Sequence, residues 1–340
     1  MAAGSICLFP QLSSTGGPSS FQKKLTQCLN KRGISVHFDI NRDDVEAILI
    51  IGGSRQLAPI AQAKKRGVRI VQRLDGMNWL HKKTKTGIKH YMRSEWNNYL
   101  LSTIRNKYAD AIVYQSKFTR TWWDEVYGPV SVPDMVIHNG VDLNTFTPLG
   151  DRTLPKDVIR IMVVEGSFFG GHERDLLNAF GFANNLAQLA SRQVELVIAS
   201  KAPQKMLDAL PSYPNVTLKW LGIVPLSEIP ELNRSAHLFF PAEINAACPN
   251  TVLEAMGCGL PVISFATGSL PELVQGNAGR VVPYGADYWN LAAPDFSRIS
   301  QAGLEILQNQ STFRAAARKR AEQFFDMHLM TDKYLEVLIP

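Results

Sequence analysis

The sequence predicts an α/β fold in which two doubly wound, Rossmann-like domains follow one another along the chain. Three observations carry this expectation. Short apolar strand candidates alternate with helical stretches through the first half. The same alternation restarts after residue 158, and a polar, proline-containing stretch, LGDRTLPKDV (149–158), separates the two runs as an interdomain linker would. At 340 residues the chain is long enough for two separate cores.

In the first half the strand candidates are SICLFP, ISVHFD, AILIIGG, RIVQRLDG, AIVYQSKF and MVIHNG. After the first of them, Gly16 and Gly17 precede Pro18 and the helix SSFQKKLTQCLNKRG. Glycines there let the backbone approach a ligand, and proline suits the first helical position. An ordinary strand-to-helix turn has the same composition, so both readings stand. The fourth strand ends in Arg73-Leu74-Asp75-Gly76. Asp75 is either a turn or helix cap, for which aspartate before glycine is well suited, or a carboxylate presented at the strand end. HKKTKTGIKHYMR (81–93) reads as a densely basic loop, after which EWNNYLLSTIRNKYADAIVY resumes an amphipathic helix and a strand.

The second half runs VIRIMVVEG, helix ERDLLNAFGFANNLAQLA, strand VELVIAS, helix APQKMLDALPSY, strand VTLKWLG, helix LSEIPELNRS and strand AHLFFPA, with GRVVPYG as a later strand. Between them lies residues 241–274, PAEINAACPNTVLEAMGCGLPVISFATGSLPELV, around which the rest is organised. A loop there leads to Pro249 and a helix over Thr251–Met256. Gly257, Gly259 and Pro261 end that helix before the strand VISFA. A strand, a loop and a helix N-terminus make a natural anion site, because free backbone N–H groups and the helix dipole favour negative charge.

PNTVLEAMGCGLPVISFATGSLPELV (249–274) resembles the signature segment of the family-4 retaining nucleotide-sugar glycosyltransferases, which have the GT-B fold. VIHNGVDLNTFTP (136–148) is similar to that family's interdomain link, and GGPSSFQKKL (16–25) to its first glycine-rich loop. The resemblance implies two Rossmann-like domains facing each other across a cleft. Residues 1–145 would form the acceptor-side domain and 146–320 the donor-nucleotide domain, with 321–340 a closing helix packed back on the first. It further implies transfer of a sugar from a nucleoside diphosphate sugar with retention of configuration.

By the same resemblance Glu254 is the second glutamate of the family's E-x7-E pair and holds the nucleotide ribose. Asn250, Thr251 and Val252 lie at the diphosphate, Gly222 and Val224 at the base, and Gly16 and Gly17 at the donor from the other domain. Ala246 stands where the first glutamate belongs, and Glu243 is the carboxylate nearest in sequence to take its role. Asp75 matches a position where family members present a histidine near the reacting sugar. The family's phosphate-binding Arg and Lys are absent from residues 165–174, leaving Gly166, Ser167 and Arg174, with His172, to face the phosphates. The catalytic candidates are therefore Asp75 and Glu243. No cofactor and no metal are expected, because helix N-termini and basic groups can neutralise a departing diphosphate.

Charge divides unevenly: residues 1–150 hold 20 Lys+Arg against 11 Asp+Glu, and residues 151–340 hold 16 against 19. A basic first half implies an anionic partner there, such as a lipid-linked acceptor, a membrane surface or the donor diphosphate. Nucleic acid is excluded, since no nucleic-acid-binding motif accompanies the charge. The four cysteines (Cys7, Cys28, Cys248, Cys258) have no metal spacing and read as reduced thiols. The opening MAAGSICLFPQ lacks the regions of a signal peptide, and no apolar run approaches bilayer length. The expected location is cytoplasmic, with peripheral contact at an anionic membrane surface. The alternative function is a GT-B protein that binds nucleotide sugar or acts as a scaffold without turnover. A dinucleotide-dependent oxidoreductase is disfavoured because STGGPSS does not make G-x-G-x-x-G, and motifs for a GT-B epimerase or phosphorylase are not seen.

Overall fold

The computed structural model describes residues 5–13, 16–151 and 153–340, and the chain divides into two compact units. The first comprises residues 1–81, 87–140 and 325–340; the second comprises 82–86 and 141–324. Each is built on a six-stranded parallel sheet.

In the first unit β1 (Ser5–Phe9), α1 (Gly17–Lys31), β2 (Ser35–His37), β3 (Ala47–Ile51), α2 (Leu57–Lys65) and β4 (Arg69–Leu74) follow one another. Then come α3 (Ile88–Lys107), β5 (Ala111–Tyr114), α4 (Lys117–Tyr127) and β6 (Asp134–Val136). Their order across the sheet is β2-β1-β3-β4-β5-β6. β1, β3 and β5 are buried along their whole length rather than alternating, because helices cover both faces of a parallel sheet. The residues after Phe324 return to this unit: Met330, Tyr334, Val337 and Leu338 share one buried cluster with Ile6, Phe21 and Val71. Gly140 is required at this junction, since a Cβ there would lie 2.5 Å from the Met327 Cα.

α3 starts seven residues before the helix expected from Glu95. Residues 81–87 are a short 3-10 turn and a loop, and 88–93 are helical. The early turns escaped the periodicity argument because their apolar side chains Ile88, Tyr91, Met92, Trp96 and Tyr99 are exposed rather than buried.

The second unit runs β7 (Val158–Ser167), α5 (Glu173–Ala190), β8 (Gln193–Lys201), α6 (Gln204–Asp208), β9 (Val216–Gly222), α7 (Ile229–Arg234), β10 (Leu238–Phe239) and α8 (Asn250–Gly257). It continues with β11 (Val262–Phe265), α9 (Leu270–Leu273), β12 (Gly279–Val282), α10 (Phe296–Gln308) and α11 (Gln310–Phe324); α12 (Met327–Leu338) is the helix that belongs to the first unit. The sheet order is β12-β11-β10-β7-β8-β9. The chain winds outward one way from β7 and the other way from β10, so the β7/β10 boundary is a topological switch point, where ligands bind beyond the strand ends. Among the described residues no helix is long and apolar enough to cross a membrane.

Candidate functional site

At the carboxyl ends of β10 and β7 three segments converge: the loop 240–249, α8 and the turn after β7. Pro249 is the N-cap of α8 in extended conformation, and no side chain caps the helix. Val252 N–H donates to the Pro249 carbonyl at 3.3 Å, and a helix start without a side-chain cap is the ordinary setting of a helix-terminal anion site. Asn250 and Thr251 are half-buried in that turn, Val252 is buried, and the Thr251 hydroxyl oxygen is buried without a hydrogen-bond partner. Glu254, one turn further, is 4% exposed. The far end of α8 is anchored by close packing. A Cβ on Gly257 would sit 3.1 Å from Phe146, and Arg318 donates to the carbonyls of Gly257 and Phe146 at 2.8 Å.

Ala246 is 1% exposed and its backbone is clamped. Ser269 N–H donates to its carbonyl at 2.9 Å, and a Cβ on Gly268, whose φ is +57°, would fall 2.6 Å from the same oxygen. Beside it Asn245 adopts φ 62°, a left-handed conformation that asparagine tolerates better than most residues. Both amide atoms of Asn245 are buried without partners.

Glu243 is half-buried in a group of acidic side chains drawn from three elements. The Glu165 carboxylate, near the end of β7, accepts from the N–H groups of Ala242 (3.2 Å) and Glu243 (3.4 Å). Asp175, in the first turn of α5, accepts from Ile244 N–H at 3.4 Å and pairs with His172 Nδ1 at 2.8 Å. Two carboxylates thus hold the backbone that carries Glu243. Burial, then the charges of Glu243 and Asp175, push the Glu165 carboxyl well above the usual carboxylate range. Burial also raises Asp175, with His172 opposing. For His172 burial works against the charge, but the Asp175 hydrogen bond and the neighbouring carboxylates outweigh it and lift the imidazole to about 9. At neutral pH this corner holds a protonated histidine and a carboxyl that keeps its proton unusually well. Glu165 and Asp175 were missed in the sequence because nothing in the local pattern relates positions 165, 175 and 243.

Gly166 and Ser167 close β7 next to this group, and a Cβ on Gly166 would meet nothing within 4 Å. Arg174 is half-buried and makes no hydrogen bond or ion pair among the described residues. It lines a cavity of about 420 Å³ together with Asn178, Tyr213 and Phe296. Gly222, at φ +68°, ends the edge strand β9. It leads into a loop with Val224 half-buried and Ile223 77% exposed.

The first unit carries its own candidates. Gly16 is the extended N-cap of α1 without a side-chain cap, and Gly17 and Pro18 open the helix. Asp75 follows β4 half-buried, and its carbonyl accepts from Trp123 Nε1 at 2.8 Å. Burial raises the Asp75 carboxyl above its ordinary range, while the Arg73 charge pulls the other way. His81 pairs with Glu95 at 2.6 Å, a structural contact that ties the turn before α3 to that helix.

Residues 168–293 match the family model described as Glycosyl transferases group 1. This stretch of the second unit is thus similar to group 1 glycosyltransferase domains. The amylovoran biosynthesis glycosyltransferase AmsK of Erwinia amylovora is 31% identical over 128 residues, which cover 36% of this chain and 30% of AmsK. The matched stretch is thus under a third of that relative's length. The whole chain superposes on sucrose-phosphate synthase from Thermosynechococcus elongatus with a TM-score of 0.71, 16% identity and 98% of each chain covered. For Anabaena HepE, solved with UDP and glucose, the TM-score is 0.65 at 17% identity and 98% coverage of each chain. At these identities the structures establish the fold, and the fold is GT-B.

The stretch matched by the family model contains Arg174, Gly222, Val224, Glu243, Asn250, Thr251, Val252 and Glu254. Gly166 and Ser167 immediately precede it, while Gly16, Gly17 and Asp75 belong to the first unit. The domain's anion-receptive feature is the uncapped end of α8, with the Glu254 carboxylate one turn behind it.

Proposed function

We propose that the chain is a retaining glycosyltransferase that moves a sugar from a nucleoside diphosphate sugar to a glycan, lipid-linked or small-molecule acceptor, without a metal ion. One observation carries this reading: a group 1 domain in which an uncapped helix N-terminus is followed by a buried glutamate at position 254. The α8 N–H groups and dipole would hold the diphosphate, and Glu254 would accept from the ribose hydroxyls. Stabilisation of the departing diphosphate by such fixed donors supplies electrostatic catalysis without Lewis-acid help. A β-phosphate oxygen of the leaving group can take the acceptor's proton as the new bond forms. Glu243 and Asp75 are the carboxyl groups assigned to the reacting sugar: Glu243 would accept from a hydroxyl, and Asp75, inclined by burial to keep its proton, could donate to one.

The acceptor side is proposed to sit at an anionic lipid surface. On α3, Ile88 (77% exposed), Met92 (67%), Trp96 and Tyr99 lie on one helical face at spacings of three and four, with Lys89 and Arg93 alongside. An apolar stripe edged by cations is what an interfacial helix presents to anionic lipid.

The second reading, a nucleotide-sugar-binding protein without turnover, is favoured by Ala246, buried and clamped where the resemblance places a catalytic carboxylate. Incubation with a panel of UDP-, GDP-, ADP- and TDP-sugars separates the two. Slow release of nucleoside diphosphate from one donor, with transfer product of unchanged anomeric configuration by NMR, supports the transferase. Tight donor binding with no release from any donor leaves the binding protein.

A further inference from the structure

In the second unit a cavity of about 420 Å³ lies against α5, lined by Arg174, Leu177, Gly181, Pro211, Tyr213 and Phe296 among others. Positions 174, 177 and 181 recur at spacings of three and four, so they form one stripe on the helix. That stripe is distinct from the buried one of Leu176, Ala179, Phe180 and Ala183. None of the lining residues belongs to α8 or to the loop 240–249. Gly181 shapes the floor. A Cβ there would lie 2.3 Å from Phe296 Cζ, so the phenyl ring lies against bare helix backbone. A glycine inside a helix is destabilising relative to alanine, and here it makes room for that ring. Leu177, 39% exposed, stands at the rim. Arg174 is the one charged residue in the lining among the described residues. It is half-buried and has no hydrogen bond or ion pair among them, and the Tyr213 hydroxyl has none either. Asp175, Asp208 and Asp295, which flank the lining, are engaged elsewhere. Asp175 pairs with His172 and accepts from the Ile244 N–H, Asp208 accepts from Gln204 Nε2 at 2.8 Å, and Asp295 caps α10 through the Ser297 N–H at 2.9 Å.

We propose that this cavity binds an acidic sugar, a pyranose carrying a carboxylate or a phosphate. Each part of the lining has its counterpart in that ligand. The guanidinium takes two oxygens of the acid group along one edge, a geometry for which it is suited and an ammonium is not. The apolar C–H face of a pyranose ring packs on the flat Tyr213 and Phe296 side chains, with Leu177 and Pro211 beside them. The Tyr213 hydroxyl, without an internal partner, exchanges a hydrogen bond with a ring hydroxyl. A neutral sugar would leave the guanidinium unpaired, and a plain aliphatic acid would leave the tyrosine hydroxyl unused. The cavity falls within the range of small-molecule sites, about 300–1,000 Å³. The site does not depend on the transferase reading, since neither α8 nor Glu254 lines it. Holding a charged saccharide here raises its local concentration at the second unit.

The test uses the full chain as wild type, Arg174→Met, Arg174→Lys and Leu177→Trp, titrated by calorimetry with glucuronic acid, glucose 6-phosphate, glucose and UDP, with the melting temperature read on each. Leu177→Trp fills the cavity from its exposed rim, so it reports blockage in a protein that still folds. At least one of the two acids should bind wild type, bind Arg174→Met about tenfold or more weaker with Arg174→Lys between, and lose measurable binding to Leu177→Trp. Glucose should bind wild type no better than it binds Arg174→Met. Binding confined to glucuronic acid assigns the cavity to a carboxylate, and binding confined to glucose 6-phosphate assigns it to a phosphate. Failure of both acids to bind, equal affinity in wild type and Leu177→Trp, or glucose binding as tightly as the acids overturns the proposal. So does UDP binding that Leu177→Trp abolishes, which would make the cavity a nucleotide site. The transferase reading fails separately. UDP binding intact in Leu177→Trp, with neither acid bound, removes the cavity site alone, whereas acid binding blocked by Leu177→Trp in a protein that binds no nucleoside diphosphate removes the transferase reading alone.

Discussion

Replacing His172 by glutamine keeps a hydrogen-bond donor toward Asp175 and removes the positive charge. In the folded protein Asp175, Glu243 and Glu165 face this imidazole and lift it from 6.5 to about 9, against the burial that disfavours its charge. A group raised in the folded state contributes stability that is fully present below its unfolded value. That stability is lost as pH climbs through the folded value. Each pH unit of separation is worth 1.36 kcal/mol, so the charged His172 contributes ~2.5 kcal/mol at pH 7 and nearly nothing by pH 10. The raised Glu165 and Asp175 carboxyls act with the same sign, since the folded state again binds more protons than the unfolded one. Urea denaturation of wild type and His172→Gln at pH 6, 7, 8, 9 and 10 reads this directly. The gap between them should be largest at pH 6–7 and close by pH 10, with wild type losing stability steadily over that range. A gap that is constant with pH, or absent at pH 7, refutes the charge network.

Three further outcomes follow from the same geometry. Donor turnover should survive EDTA, because helix N–H groups and side-chain charges are assigned the work of a metal; complete loss restored only by Mn²⁺ or Mg²⁺ would overturn that assignment. Met92→Ser with Trp96→Ser should weaken binding to anionic liposomes severalfold while leaving the melting temperature within a degree or two, since both side chains are exposed; unchanged liposome sedimentation removes α3 as the contact. Gly268→Ala should cost several kcal/mol by denaturation, because its Cβ would press on the Asn245–Ala246 backbone at a positive φ; a melting curve like that of wild type contradicts the clamped loop.

Much of the architecture was legible because a parallel sheet buries its central strands on both faces, so that β1, β3 and β5 read as apolar runs, and its helices show one apolar face. α5 occupies Glu173–Ala190, the span read from its sequence, and buries Leu176, Ala179, Phe180, Ala183, Leu186 and Ala187 along one stripe. Where side chains are not buried the same reading fails. α3 starts at Ile88 although its first turns present their apolar residues outward, and α6 shrinks to Gln204–Asp208 with no residue buried at all. The uncapped start of α8 was legible because proline, the run of helix formers and the glycines mark both of its ends. The carboxylates around Glu243 were not, since Glu165 and Asp175 meet the 242–244 backbone only once β7, α5 and β10 are assembled. Arg73 likewise reads in sequence as a strand residue, and its burial against Asn139 is a property of the fold alone.

The central claim, that the α8 end of the group 1 domain holds a nucleotide through Glu254, is tested most directly by calorimetric titration of nucleoside diphosphates onto wild type, Glu254→Gln and Glu254→Ala, with melting temperatures from the same samples. Hydrogen bonds to an ionised acceptor are worth roughly 1.5–3 kcal/mol each, so Glu254→Ala should bind its nucleotide about tenfold weaker or worse, with Glu254→Gln between. Wild-type affinity in a Glu254→Ala protein whose melting temperature has fallen would show a structural glutamate and contradict the account.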